Sequence, residues 1–189
     1  VIFKELNLDK LLLNSKVFKK IEKMKLIPVF LPQNFIERSM DVYPLEYLRF
    51  KDKYELLYGE EIFKDLNVPL ENLRVESEQK LKGVFIRLTQ VILEEGKSLR
   101  KVLKICFLAL DDLLLGIEGV LRIKGVSIFD DEFRCIEKLE EITGFELDSF
   151  KEVLKIRSGM RRKRELKSLI YDFYEDVEKL AEFVDRMEV

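Results

Sequence analysis

The sequence contains no histidine. That gap removes Ser–His and Cys–His couples, histidine-ligated zinc and histidine acid–base catalysis from within the chain. Chemistry would have to come from carboxylates, lysine, tyrosine or a bound metal. Cysteine is nearly as scarce. Cys106 and Cys135 are the whole supply, with no CxxC spacing and no signal-peptide pattern. Both fall on apolar helical faces, so buried, reduced thiols in a cytoplasmic protein are expected rather than a disulfide or metal framework. Glycine-rich phosphate loops are missing too: there is neither GxGxxG nor GxxxxGK[ST]. No base-reading DNA motif is evident. Neither sign of charge is in excess, with 34 Lys+Arg against 36 Asp+Glu. The balance excludes a generally basic nucleic-acid binder and leaves room for a local basic patch.

A membrane-length apolar run is also lacking. The nearest approach is Ser98 to Arg122, apolar on nearly all sides of a helical wheel. Lys101, Lys104, Asp111, Asp112 and Glu118 interrupt it before it reaches roughly 18 apolar residues. It reads as the central helix of a bundle. At 47% hydrophobic, the chain can build a core around it. The 37% charged fraction, rich in Lys and Glu, suggests a thermophile.

The chain opens on Val1-Ile2-Phe3-Lys4-Glu5-Leu6, which reads as a buried strand already under way. From Asp9 to Lys25, Leu12, Leu13, Val17, Ile21 and Met24 recur at helical spacing, with Lys16, Lys19, Lys20 and Lys23 on the other face. Leu26 to Leu31 is a second apolar run whose Pro28 suits an edge or an irregularity. Together these segments predict a parallel β-α-β unit. Short helices are expected at Gln33–Met40 and at Leu45–Phe50, the latter with Pro44 in its first turn, and one more helical stretch at Glu60–Leu66.

From Pro69 onward the pattern is helical only. Five helices follow, punctuated by Gly96, Gly125, Gly144 and Gly159. Ser98, Asp130 or Asp131, and Asp148 stand at the caps, and the last helix runs from Arg162 to Met187. The expected fold is mainly α: a five-helix antiparallel bundle over residues 67–189, preceded by a small, incomplete α/β portion over residues 1–66.

Two clusters are candidates for chemistry. Arg157 to Arg164 holds five basic residues, among them Arg157, Arg161, Arg162 and Arg164, around a helix break. Arginine forks suit phosphate oxygens, so a phosphate or nucleic-acid contact is one reading. The other is a solvated stretch paired with Glu165 and neighbouring acids. Arg74, Glu78 and Lys82 recur every four residues and share a face as an ion-pair ladder, with Arg87 and Gln90 beyond. They form an exposed stripe, or they line a cleft in which Glu78 acts as a general base. Asp111 and Asp112 point about 100° apart and cannot jointly hold a metal without other ligands. Lys or Arg from a neighbouring helix is their expected partner. Tyr171 and Tyr174 read as packing residues.

Four segments carry a resemblance: Asp41-Val42-Tyr43-Pro44-Leu45-Glu46-Tyr47, Leu57-Tyr58-Gly59-Glu60, Leu73 to Gly83, and Arg87-Leu88-Thr89-Gln90. In these the chain resembles the later part of nucleotidyltransferase-domain proteins of the DNA polymerase beta-like superfamily. There a small α/β catalytic core precedes a helical bundle similar to the C-terminal domain of kanamycin nucleotidyltransferase and to HEPN domains. The family's signature is a Gly-Ser turn followed by Asp-x-Asp, whose carboxylates hold magnesium on a nucleoside triphosphate. This sequence has neither motif, and by strand order they would lie upstream of Val1. The strand that carries the family's third carboxylate corresponds to Leu26–Leu31, which has no acid. The HEPN ribonuclease pair needs a histidine. The resemblance implies that Arg74, Glu78 and Arg87 face a cleft.

The leading expectation is a nucleotidyltransferase-like protein, inactive in transfer as given, whose helical domain binds substrate or a partner. Magnesium and a nucleoside triphosphate enter only with an upstream catalytic segment. The alternative is a non-enzymatic module that binds RNA or a partner protein through residues 157–164. A third is a structural homologue that dimerises with itself through a helix face.

Overall fold

The structure, a computed structural model, describes residues 1–24 and 28–189. The fold is mainly α, with a small and incomplete α/β part. Backbone contacts divide it into two units, Val1–Tyr43 and Pro44–Val189. That division marks where packing changes hands, whereas residues 66 and 67 mark where the sequence pattern becomes helical only.

In the first unit, β1 (Ile2–Phe3) pairs in parallel with β2 (Leu31–Pro32), with Ile2 opposite Leu31. Between them lies α1 (Leu8–Lys23), and α2 (Gln33–Arg38) follows. The parallel β-α-β order is as expected. The strands are two residues each, because two isolated strands have no further neighbour to extend against. Leu26 and Ile27 of the expected second strand lie outside the described residues. The spacing in α1 predicts a buried face, yet Leu12, Leu13, Val17 and Met24 are exposed. Ile36 and Ser39 are the buried residues among those described in this unit, and Phe3, Phe18 and Phe30 form a small ring cluster.

The second unit holds α3 (Pro44–Lys53), α4 (Leu70–Glu95), α5 (Leu99–Ile123), α6 (Glu132–Thr143), α7 (Asp148–Arg157) and α8 (Leu166–Asp185). The expected central helix is α5, which touches α3, α4, α6, α7 and α8. Leu110, Leu113, Ile117 and Leu121 are fully buried along it. Phe150 of α7 meets Phe173 of α8 edge to face at 5.2 Å. Each such side chain contributes roughly 1.5–3 kcal/mol of burial. Among the described residues no helix is long and apolar enough to cross a membrane.

Some helix ends are as expected and others differ. Asp131 caps α6, its carboxylate accepting from Phe133 N–H at 2.9 Å. Gly144 closes that helix in the left-handed region at φ 70°, open to glycine at little cost. Ser98 stands at the α5 N-cap without a side-chain cap bond, and the α7 N-cap is Leu147, one residue before Asp148. Residues 60–66 form turns rather than a helix. The Phe63 ring lies against Phe50 and Tyr54, and the Leu66 carbonyl accepts from Lys51 Nζ at 2.8 Å. The last helix starts at Leu166, not Arg162.

What brings α3, α4 and α5 close is glycine. A methyl group on Gly119 would stand 1.9 Å from Ser77 Oγ and 3.0 Å from a Leu45 methyl. One on Gly116 would stand 2.9 Å from Leu81 Cγ. Two glycines one turn apart therefore let α5 sit directly on the Ser77 turn of α4, with Leu45 of α3 alongside.

Candidate functional site

Pro44 fixes the first turn of α3 and leaves the Leu45 N–H without an intrahelical partner. Glu76 supplies the acceptor from α4, with Oε2 2.7 Å from Leu45 N. Glu76 sits one turn past Leu73, on the stripe that continues through Ser77, Leu81, Val84 and Leu88, so its side chain is carried inward and is 5% exposed. Glu46, in the first turn of α3, hydrogen-bonds to it. Lys80 lies one turn further along α4. Its ammonium is 3.1 Å from Glu46 Oε1, 4.0 Å from Glu76 Oε1 and 3.9 Å from Asp112 Oδ1 of α5. Arg87 reaches the other Asp112 oxygen at 3.4 Å. Arg49 of α3 is committed to Glu118 of α5 by two bonds of 2.8 Å.

The electrostatics follow from the packing. Burial, then the hydrogen bond to Glu46, push the Glu76 carboxyl up to about 8, against the Leu45 N–H. Burial also pushes Glu46 up. Its bonds to Glu76, to its own backbone N–H and to Lys80 more than reverse this and hold it below the usual carboxylate range. This arrangement does not fit a magnesium ion. A fixed ammonium already occupies the space among the three acids, and among the described residues no group of three or more His, Cys, Asp or Glu side chains is placed to hold a metal.

The residues singled out from sequence fall in three places. Arg74, Glu78 and Lys82 form the expected ladder, with Arg74 to Glu78 at 2.9 Å and Lys82 to Glu78 at 2.6 Å. Arg74 also bonds Glu71, and Lys82 reaches Asp185 on α8 at 2.8 Å. Both Glu78 oxygens are thus taken by cations of its own helix. Arg87 joins the Glu46–Glu76–Lys80–Asp112 cluster. The basic stretch splits. Arg157 is held by Asp111 of α5 at 2.8 Å and by Glu132 of α6 at 3.1 Å. Arg164 pairs with Asp172, while Arg161, Arg162 and Lys163 are exposed side chains in the loop before α8. Glu152 of α7 takes the backbone N–H groups of Lys163 and Arg164, each at 3.0 Å.

A groove of about 770 Å³ runs beside this loop between α7 and α8, lined by six acids and six cations. That balance makes it a mixed surface rather than a positive channel. At its base Asp176 accepts from Ser149 Oγ at 2.6 Å. Burial raises its carboxyl, with Ser149 and Lys179 acting against the rise.

Other expectations resolve simply. Asp111 and Asp112 diverge to Arg157 and to Arg87 with Lys80, as neighbouring-helix cations should hold them. Tyr174 packs on Phe85 and bonds Thr89, whereas Tyr171 is exposed. Cys106 and Cys135 are buried free thiols, and burial pushes Cys106 up to about 12. The Glu46–Glu76 pair is the constellation that periodicity missed. Its signal was an acid on the inward stripe of α4, one turn after Leu73, opposite a helix that begins with proline.

Comparison with protein-family models, with curated proteins and with solved structures finds no match to this chain.

Proposed function

We propose that this chain is a nucleotidyltransferase-like protein whose helical domain binds substrate or a partner, and that it performs no nucleotidyl transfer by itself. One observation carries the reading. Of the four segments that carry the resemblance, Leu73–Gly83 and Arg87–Gln90 and the Pro44–Tyr47 portion of Asp41–Tyr47 meet in space. They do so through the Leu45–Glu76 bond, the Lys80–Glu46 pair and the Arg87–Asp112 pair. These contacts gather the acids Glu46, Glu76 and Asp112 and the cations Lys80 and Arg87 at a partly exposed surface. Such a surface orients a polar ligand by hydrogen bonds and charge.

Two experiments test it. Labelled nucleoside triphosphate with magnesium should give no transfer of label to any acceptor. Amide signals of the isotope-labelled protein, titrated with magnesium ATP, should shift first at Glu46, Glu76, Lys80, Arg87 and Asp112. Label transfer would overturn the first clause. Shifts confined to Arg161–Arg164 would replace the second with the alternative, an RNA- or partner-binding loop. That alternative is favoured by the three exposed cations Arg161, Arg162 and Lys163.

A further inference from the structure

We propose that Glu46 and Glu76 share one proton and that its loss as pH rises weakens the seating of α3 on α4. The proposal rests on packing and stands whether or not the chain binds a nucleotide.

Two carboxylates cannot hydrogen-bond to each other unless one of them is protonated, because an ionised carboxylate has no donor. Glu46 Oε2 is buried, and no N–H or O–H donor of the described residues reaches it. Glu76 is placed to supply one once protonated: its Oε2 holds the N–H of the adjacent Leu45 at 2.7 Å, and its Oε1 shares Lys80 Nζ with Glu46. Glu76 uses its Oε2 to hold the Leu45 N–H, so the same residue both caps α3 and donates to the first turn of α3.

Losing the proton puts two anions side by side, and the surroundings have no spare cation to answer them. On α3, Arg49 is taken by Glu118. On α4, Lys80 already serves Glu46 and stands 4.0 Å from Glu76. Arg87 is directed to Asp112. From α5 come the acids Asp112 beside Lys80, Asp111, held by Arg157, and Glu118, while the α5 cation that faces α3, Arg122, is paired with Asp52. Lys80, shared with Glu46 and Asp112, answers the new charge only in part, and the site is nearly out of reach of water, which is costly.

The sign follows. Glu76 is protonated in the folded state to about 8 and ionises far lower in the unfolded chain. Its contribution is whole below the unfolded value and is lost as pH rises through the folded one. Because the chain has no histidine, few other groups titrate in that window. Asp176, also raised by burial, lies on α8 and serves as the control.

The experiment uses the full chain. Infrared difference spectra should show a protonated-carboxyl band at about pH 6 that fades by about pH 9 and is reduced in Glu76→Gln. Urea midpoints should fall from about pH 5 to about pH 8 in the wild type. Glu76→Gln, whose amide donates to Glu46 and whose carbonyl still accepts from Leu45, should remove that slope, and Asp176→Asn should leave most of it. Equal bands or equal slopes in the wild type and Glu76→Gln overturn the proposal. Should Glu76→Gln not fold, Glu46→Gln gives the second route. Its amide donor lets Glu76 ionise, so the band should again weaken, and an undiminished band again overturns the proposal.

Discussion

The α3–α4–α5 cluster and the loop from Arg157 to Arg164 are both dense in charge, and they behave as opposites. In the cluster, charge is partly enclosed by helices that two glycines allow to touch, and Glu46 Oε2 is buried with no donor in reach. In the loop, charge stands in water, and acids of α5–α8 balance it. Number of charges is therefore a poor guide to importance. What matters is whether water has been removed around them.

The largest effect is expected inside the cluster. Glu76→Ala strips the α3 cap, leaves the Leu45 N–H buried without an acceptor and opens space beside Leu45. A loss of roughly 2–4 kcal/mol should follow, read by urea denaturation. A change within about 0.5 kcal/mol would mean that the two regions do not differ as argued.

Next comes the contact that builds the cluster. Gly119→Ala puts a methyl group 1.9 Å from Ser77 Oγ. Overpacking should cost roughly 1–3 kcal/mol despite the better helix propensity of alanine. Adding Ser77→Ala should recover part of it, so a double-mutant cycle should show coupling. Simple additivity would mean that the two helices do not touch there.

The pH dependence sharpens the contrast. With Glu76 pushed up to about 8, wild-type stability should decline from about pH 5 to about pH 8, at no more than about 1.4 kcal/mol per unit. Glu46, held low, acts in the opposite direction: its contribution is present above its unfolded value and is lost in acid. Substitutions in the loop should leave the neutral slope unchanged.

The smallest effects divide the basic stretch itself. Arg157→Ala removes two cross-helix pairs and should cost about 1 kcal/mol. The triple change of Arg161, Arg162 and Lys163 to Ala should cost less than about 0.5 kcal/mol. If the loop binds RNA, that triple change should nonetheless weaken filter binding and flatten its salt dependence. Unchanged binding in the triple variant would remove the RNA reading.

Much of the helical unit was legible from local pattern. Gly144 and Gly159 end helices where their spacing places them, Asp131 caps as its position suggests, and the Arg74–Glu78–Lys82 ladder forms because neighbours four apart on a helix must meet. Less survived where partners were few. The apolar spacing of α1 is genuine, yet Leu13 is 80% exposed, since periodicity states which side would be buried and not whether anything covers it. The turn at residues 60–66 looked helical because its use of Phe63 and Leu66 against α3 is not written in local spacing.

The sequence by itself determined the class of the protein: mostly helical, histidine-free, with a central apolar helix and without a phosphate loop. These properties depend on composition and on a period of 3.6, both of which are local. Only the tertiary structure decided that Glu76 rather than Glu78 is the unusual acid. The two lie two residues apart on one helix and differ in what stands opposite them. Glu78 meets cations of its own helix at a half-exposed surface, while Glu76 meets the start of α3 and a second carboxyl. A side chain's charge state depends on the water and partners around it, and those are set by packing between elements distant in the chain.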